Sequence, residues 1–417
     1  MKATKHCITL LVAALSLASL GAKADDALIK KGEYLTRAAD CEACHTTAGG
    51  QPFAGGTPFK TPMGTLFSPN ITPDKDTGIG NWTDAQFLRA VHEGKGKDGE
   101  NLYPAFPYTD YTALTDDDVL AIKAYLMSTP PVHNVVPENQ MPFPFNQRWS
   151  LMFWNLINFK EGRFKPQPQQ SEAWNRGAYL VDALGHCGQC HTPRDITMGL
   201  KDSKKFAGAD LAGWKAFNIS SHKQDGIGSW SDDEIIRYLG TGNVPGRAQA
   251  GGPMAEVIEK STRHLSEADL KAMVTYLRSV PAQANDIDKA RSEQGAPIAS
   301  LAAVRGAPIK AEGANLYSGN CASCHQWSGG GIGNGYYPSL YKNSVVGADN
   351  ANNLVLVMLQ GVQRDMGNDK VVMPAFGRSL TDEQIATLAN YVGKQFGGAD
   401  YGLKAADVAE LRKAGLH

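Results

Sequence analysis

An excess of either charge is missing from this chain: 41 basic residues stand against 42 acidic ones in 417, a formal net charge of -1. No field able to hold nucleic acid follows from that balance. Cysteine is scarce, with 7 in the chain. Strand-like alternation of apolar and polar residues is nearly absent, which argues against a β-rich fold. No Gly-x-Gly-x-x-Gly segment follows a strand pattern and no phosphate loop occurs, so a dinucleotide or nucleotide site of its own is not indicated. "GGGIGNG" from Gly329 is glycine-rich, but its context reads as a flexible loop.

Six of the cysteines stand in three copies of one pattern. "CEACH" holds Cys41, Cys44 and His45, "CGQCH" holds Cys187, Cys190 and His191, and "CASCH" holds Cys321, Cys324 and His325. The seventh, Cys7, lies in a leader: Lys2 and Lys5 precede an apolar run from about Ile8 to Leu20, and Ala22-Lys23-Ala24 reads as a cleavage site. Residues 1–24 are therefore expected to be a signal peptide, the run being shorter than the ~20 residues a membrane span needs.

In an exported chain paired cysteines normally mean disulfides. Zinc needs four ligands drawn together, whereas these pairs lie far apart and each carries its own histidine. A thioredoxin-like pair needs a strand-helix-strand unit that none of the flanks supplies. Covalent haem attachment accounts for every part. The spacing puts two thiols on one helical turn, ready for thioether bonds to the haem vinyl groups, and the next residue becomes the proximal imidazole. Three covalently bound haem c groups are expected.

The motifs recur roughly every 140 residues, and more than cysteine repeats with them. "KKGEYLTRAADCEACHT", "NRGAYLVDALGHCGQCHT" and "AEGANLYSGNCASCHQ" share a short leading helix with Tyr34, Tyr179 or Tyr317 at a packing position. "NITPDKDTGIGNW" and "NISSHKQDGIGSW" tie the first two units more closely to each other than to the third. The boundaries read as 25–165, 166–285 and 309–417, with a linker at 286–308; "KPQPQQSE" from Lys165 is the other connector.

Each unit ends in an amphipathic helix. Thr115 with Asp118, Ser266 with Asp269 and Thr381 with Gln384 have capping-box spacing. Behind them Leu270, Met273, Val274 and Leu277, and likewise Ile385, Leu388, Ala389 and Val392, recur at helical intervals. The expected fold is all-α, three tandem domains with long Gly- and Pro-rich loops.

Those loops must supply the sixth iron ligand, for which a thioether suits an electron carrier. Met373 of "VVMPAFGRSLTDEQ" and Met254 of "GPMAEVIEK" are the candidates in the third and second units, with Met198 a rival to Met254. The first unit reads "NLYPAFPYTDY", with Phe106 where a ligand is expected. Met63 is its candidate, ahead of Met127 and His92, and haem packing is the alternative role.

In these residues, together with "WNRGAYL", "GHCGQCHTPR", "GYYPSL" and "MPAF", the chain resembles the triheme cytochrome c subunits of bacterial membrane-bound dehydrogenases. Those enzymes act on gluconate, 2-ketogluconate, sorbitol, glucose, fructose and alcohols. The resemblance covers nearly the whole mature chain. It implies class I cytochrome c domains with His45, His191 and His325 as proximal ligands and Met254 and Met373 at distal positions. It also implies a non-catalytic electron-transfer subunit, of gluconate 2-dehydrogenase type as first choice. The implied partners are a flavoprotein catalytic subunit, a small third subunit and ubiquinone, and the implied place is the periplasmic face of the cytoplasmic membrane. A free periplasmic shuttle, or a haem enzyme or ligand sensor built on an open iron in the first unit, are the alternatives.

"MPFPFNQRWSLMFWNLINFKEGRF" is apolar almost all round, with Trp149, Met152, Phe153, Leu156 and Ile157 on one stripe. Burial between the first two units is the leading expectation. Docking on the dehydrogenase or the membrane interface is the other.

Overall fold

The computed structural model describes residues 26–284, 290–298, 312–332, 335–365 and 370–414. The leader and most of the 286–308 linker lie outside them. The chain divides into two compact units, Met1–Lys165 and Pro166–His417.

In the first unit, helix α1 (residues 26–38) leads into α2 (Cys41–His45), followed by the hairpin β1 (Pro58–Thr61) and β2 (Gly64–Phe67). After it come α3 (Asp84–Glu93), α4 (Tyr108–Tyr111), α5 (Asp116–Ser128) and α6 (Leu151–Asn158). The Thr115 side chain accepts from the Asp118 amide at the start of α5. That satisfies one free N–H of the first turn.

The second unit runs through this plan twice. Helix α7 (Glu172–Ala178), extended by a wider turn at Tyr179–Leu184, precedes α8 (Gly188–His191) and the hairpin β3 (Ala209–Leu211) and β4 (Trp214–Ala216). Next come α9 (Asp232–Thr241), the small hairpin β5 (Asn243–Val244) and β6 (Ala248–Gln249), α10 (Gly252–Lys260) and α11 (Glu267–Ser279). The second pass has α12 (Glu312–Asn320), α13 (Ala322–His325), α14 (Asn352–Gln360), the hairpin β7 (Val362–Asp365) and β8 (Lys370–Met373), α15 (Asp382–Val392) and α16 (Ala405–Ala414).

The apolar stripes of α11 and α15 are buried along their length, and Tyr179 and Tyr317 with them. Each large aliphatic side chain so buried stabilises by roughly 1.5–3 kcal/mol. Ser266 and Thr381 cap α11 and α15, the latter with a full reciprocal box through Gln384. Trp214 of β4 joins the core of α14 and α15, and Asn353 holds the Lys215 backbone at 2.7 and 2.9 Å. The second and third motifs therefore share one folded body.

The described residues are mainly helical, with four two-stranded antiparallel hairpins among them that an all-α reading does not include. Their strands have two to four residues, too short for alternation to register in the sequence.

A second departure concerns α6. Trp149, Met152, Phe153, Leu156 and Ile157 are 55–84% exposed, not buried. One edge of the helix is engaged: the Tyr108 hydroxyl donates to Asn155 at 2.5 Å and its ring meets Phe159.

Candidate haem attachment sites

In each copy the second cysteine and the histidine lie within a single helical turn, with the first cysteine in it or just before it. The His191 and His325 amides close that turn on the Cys187 and Cys321 carbonyls at 3.0 and 2.9 Å. What precedes the turn is also constant. A Cβ on Gly32 would lie 1.9 Å from the Ala121 carbonyl oxygen, one on Gly177 2.0 Å from that of Ala272, and one on Gly313 2.6 Å from the Tyr391 Cβ. Leading and closing helices thus cross in backbone contact, which only glycine permits.

The three imidazoles are held alike. His45 Nδ1 lies 2.8 Å from the Pro69 carbonyl oxygen, His191 Nδ1 2.6 Å from that of Phe217, and His325 Nδ1 2.8 Å from that of Pro338. A carbonyl only accepts, so Nδ1 carries the proton and Nε2 presents its lone pair. This is how proteins orient a metal-binding imidazole. Burial lowers all three pKa values, which favours the neutral ring that a metal requires.

The accepting carbonyls are themselves fixed. Asn70 accepts from the Thr72 amide at 2.9 Å and donates to Val132 O at 2.7 Å; Asn218 accepts from the Ser220 amide at 2.8 Å and donates to Gln283 O at 2.6 Å. The repeated asparagine after Pro69 and Phe217 was the sequence signal for this bracket. The Arg291 guanidinium stacks 4.2 Å from the Phe217 ring.

The six cysteines are unbridged. Burial pushes the Cys41 thiol up to about 12 and the Cys321 thiol up to about 11. Neutral thiols suit neither a thiolate metal site nor disulfide exchange. Among the described residues no group of three or more metal-binding side chains gathers elsewhere.

The cytochrome c family profile matches residues 29–130 and 310–395. The chain is 45% identical over 404 residues to the fructose dehydrogenase cytochrome subunit of Gluconobacter japonicus, covering 93% of this chain and 83% of that one. It belongs to the cytochrome c subunits of dehydrogenases. Over 426 residues it is 38% identical to the gluconate 2-dehydrogenase cytochrome c subunit of Pantoea cypripedii, with 98% and 95% covered. Over 412 residues it is 38% identical to the cytochrome c subunit of the quinone alcohol dehydrogenase of Gluconobacter oxydans, with 94% and 84% covered.

Cytochrome c domains imply covalently bound haem c, and the donor set fits it: two thiols beside a histidine with Nε2 presented. The candidate distal residues of this cytochrome subunit stand as follows. Met254 lies in the first turn of α10 and packs with Tyr238 on Ala250, Ala255 and Ile258. Met373 ends β8 opposite Val362. Met198 is 41% exposed with φ 65°, and Met127 is 39% exposed. His92 is buried on α3, its Nδ1 3.6 Å from Asp116, and burial brings its pKa down to about 4. The Phe106 ring packs edge-on to Tyr111 at 5.5 Å, and the Tyr111 hydroxyl donates to Ala39 O beside the first attachment turn. Met63 stands in the turn between β1 and β2.

Proposed function

We propose that this cytochrome subunit is a three-haem relay that takes electrons from a dehydrogenase catalytic subunit acting on a sugar or sugar acid and delivers them to ubiquinone. The observation that carries it is the threefold recurrence of one donor geometry, in which a carbonyl fixes each histidine's Nδ1 on a turn that also holds two thiols. Cys41 and Cys44, Cys187 and Cys190, and Cys321 and Cys324 form the thioethers. His45, His191 and His325 are the proximal ligands, and Met254 and Met373 the distal ones at the second and third haems. The domains are three tandem class I cytochrome c folds at 25–165, 166–285 and 309–417. When bound, haem supplies one-electron exchange; the chain contributes position, exclusion of water and tuning of potential.

Met63 is the thioether that the sequence offers the first haem. A second reading, an iron left open opposite His45, has an observation of its own. β2 covers Gly64–Phe67, with Met63 just before it and Pro69, the carbonyl that anchors His45, two residues after it. A methionine at the far end of that strand stands away from the anchored imidazole, which supports the open reading.

The place of action is the periplasmic face of the cytoplasmic membrane, after removal of residues 1–24. Helix α6 is the proposed contact. Its exposed stripe is flanked by Arg148 and Lys160, and no acidic residue occurs from Asn139 to Lys160. An apolar face rich in Trp and Phe with basic flanks suits the headgroup boundary of an anionic bilayer. No helix among the described residues is long and apolar enough to cross one.

The test is purification of the tagged chain in gentle detergent, mass identification of what accompanies it, and substrate-to-ubiquinone assays with gluconate, 2-ketogluconate, fructose, glucose, sorbitol and ethanol. A co-purifying large flavoprotein active on a sugar or sugar acid is expected, with a small third subunit. A lone chain in the soluble periplasm, inactive with all six, would overturn the relay reading in favour of a diffusible shuttle.

A further inference from the structure

Arg364 is the largest fully buried side chain among the described residues, 1% exposed, and its surroundings belong to two different motif units. It lies on β7, paired with Val371, while Val362, two residues earlier, pairs with Met373, so Arg364 and Met373 share one hairpin. The guanidinium leaves that hairpin for the second motif unit. Nη1 donates to the carbonyls of Gly242 and Ala250 at 3.1 and 2.9 Å, and Nη2 donates to Gln249 Oε1 at 2.9 Å.

Gly242 ends α9, and Ala250 stands just before α10, whose first turn carries Met254. Arg364 therefore clasps both ends of the segment that leads to that methionine. The next residue adds two ties to the same region: the Asp365 amide donates to Glu259 Oε2 of α10 at 3.0 Å, and Arg263 Nη1 donates to Asp365 O at 2.6 Å. The fit leaves no slack, because a Cβ on Gly242 would come within 2.8 Å of Arg364 Nη1.

Its hydrogen-bond acceptors are neutral oxygens, the Glu259 carboxylate and Tyr238 are the ionisable groups that act on its charge, and Nε is buried without a partner. A buried guanidinium stays charged and is expensive to hold, so one retained with a spare donor needs a reason. Its field is weakly screened there, and a fixed cation favours the reduced, less positive state of a nearby iron.

We propose that Arg364 is a shared positioning residue for the second and third haems, fixing the segments that carry Met254 and Met373 and raising both potentials together. The inference rests on the reading of those methionines as sixth ligands. It makes the two distal straps one mechanical piece, so that a residue of the third unit governs coordination in the second.

The experiment uses the full mature holoprotein and reads spectroelectrochemical potentials and the methionine-to-iron charge-transfer band. For R364Q the expected result is a fall of about 59 mV in the second and third potentials, a tenfold change for a one-electron couple, with the first unmoved. R364K keeps the charge but lacks the fork; it should hold most of the potential and lose methionine ligation at lower pH than the wild type. M254L and M373L test the premise, each being expected to remove one charge-transfer signal. If neither does, the ligand reading fails. If both do while R364Q leaves every potential and band in place, the Arg364 proposal alone is overturned. Should R364Q mature with fewer haems, R364K decides: wild-type behaviour in its pH titration overturns the proposal.

Discussion

Gly177 on α7 and Ala272 on α11 meet backbone to backbone: a Cβ on the glycine would sit 2.0 Å from the Ala272 carbonyl oxygen. Gly32 and Ala121 repeat the contact at 1.9 Å, and at Gly313 the nearest atom is the Tyr391 Cβ at 2.6 Å, with the Thr387 carbonyl oxygen 3.1 Å away. Helix propensity alone favours alanine over glycine by about 1 kcal/mol. The clash outweighs it at the first two positions, since a carbonyl of a packed helix cannot turn aside, and overpacking costs about 1–3 kcal/mol. G32A and G177A should therefore lower Tm clearly and reduce haem incorporation, while G313A does so less. Equal effects at all three sites, read by calorimetry of the holoproteins, would show that the helix crossing does not set the cost.

Haem content tests the site assignment directly. Replacing Cys44, Cys190 or Cys324 by serine removes one thioether, and replacing the paired cysteine as well removes covalent attachment at that motif alone. Intact mass of the mature chain should show three haem increments in the wild type and two in each double variant. A single-site change that lowered the count by more than one would mean that the motif units do not mature separately.

The first haem separates its two readings in one spectrum. With the iron open behind Phe106, the reduced protein binds one carbon monoxide per chain, and F106M is expected to abolish that binding by supplying a thioether. With Met63 as ligand, the wild type binds none, and M63L creates the site. The placement of Met63 and Pro69 at opposite ends of β2 favours the first outcome.

Much of this was legible beforehand. The helical turns of the three Cys-x-x-Cys-His motifs, the caps at Thr115, Ser266 and Thr381 and the apolar stripes of α11 and α15 are local patterns, carried by spacing within a turn or two. The carbonyls of Pro69, Phe217 and Pro338 leave no mark of their own on residue identity, since a backbone acceptor can belong to any residue; only the asparagines that follow the first two signal them. Arg364 was missed for a different reason: its acceptors lie more than a hundred positions away, and only folding brings them together. The exposed face of α6 was misjudged as buried, since apolar residues all round a helix ordinarily signal a core.

His92 gives the first unit a pH dependence. Its folded pKa of about 4 lies below the ordinary 6.5, because burial disfavours the charged ring and Arg163 adds to the effect. Below 6.5 the unfolded chain takes up the proton more readily than the folded one, so the stabilisation is complete above that pH and is lost as pH falls toward 4. About 2–3 kcal/mol is at stake. H92Q should flatten this part of the Tm-versus-pH curve relative to the wild type. An unchanged slope between pH 6.5 and 4 would place the acid sensitivity elsewhere.

Helix α6 offers a test that needs no partner protein. Leu156 and Ile157 are its most exposed apolar residues, at 84% and 70%. Inserting each into the acyl boundary is worth about 1.5–3 kcal/mol, so the L156Q/I157Q pair should weaken binding to anionic vesicles by at least tenfold. The haem spectra should not change, because neither side chain packs in the core of the first unit. Arg148 and Lys160 contribute through charge, and K160E should weaken binding at low salt but little at high salt. Sedimentation with vesicles containing phosphatidylglycerol reads both effects. If L156Q/I157Q binds as the wild type does, the membrane role of α6 fails and its apolar face belongs to a protein contact.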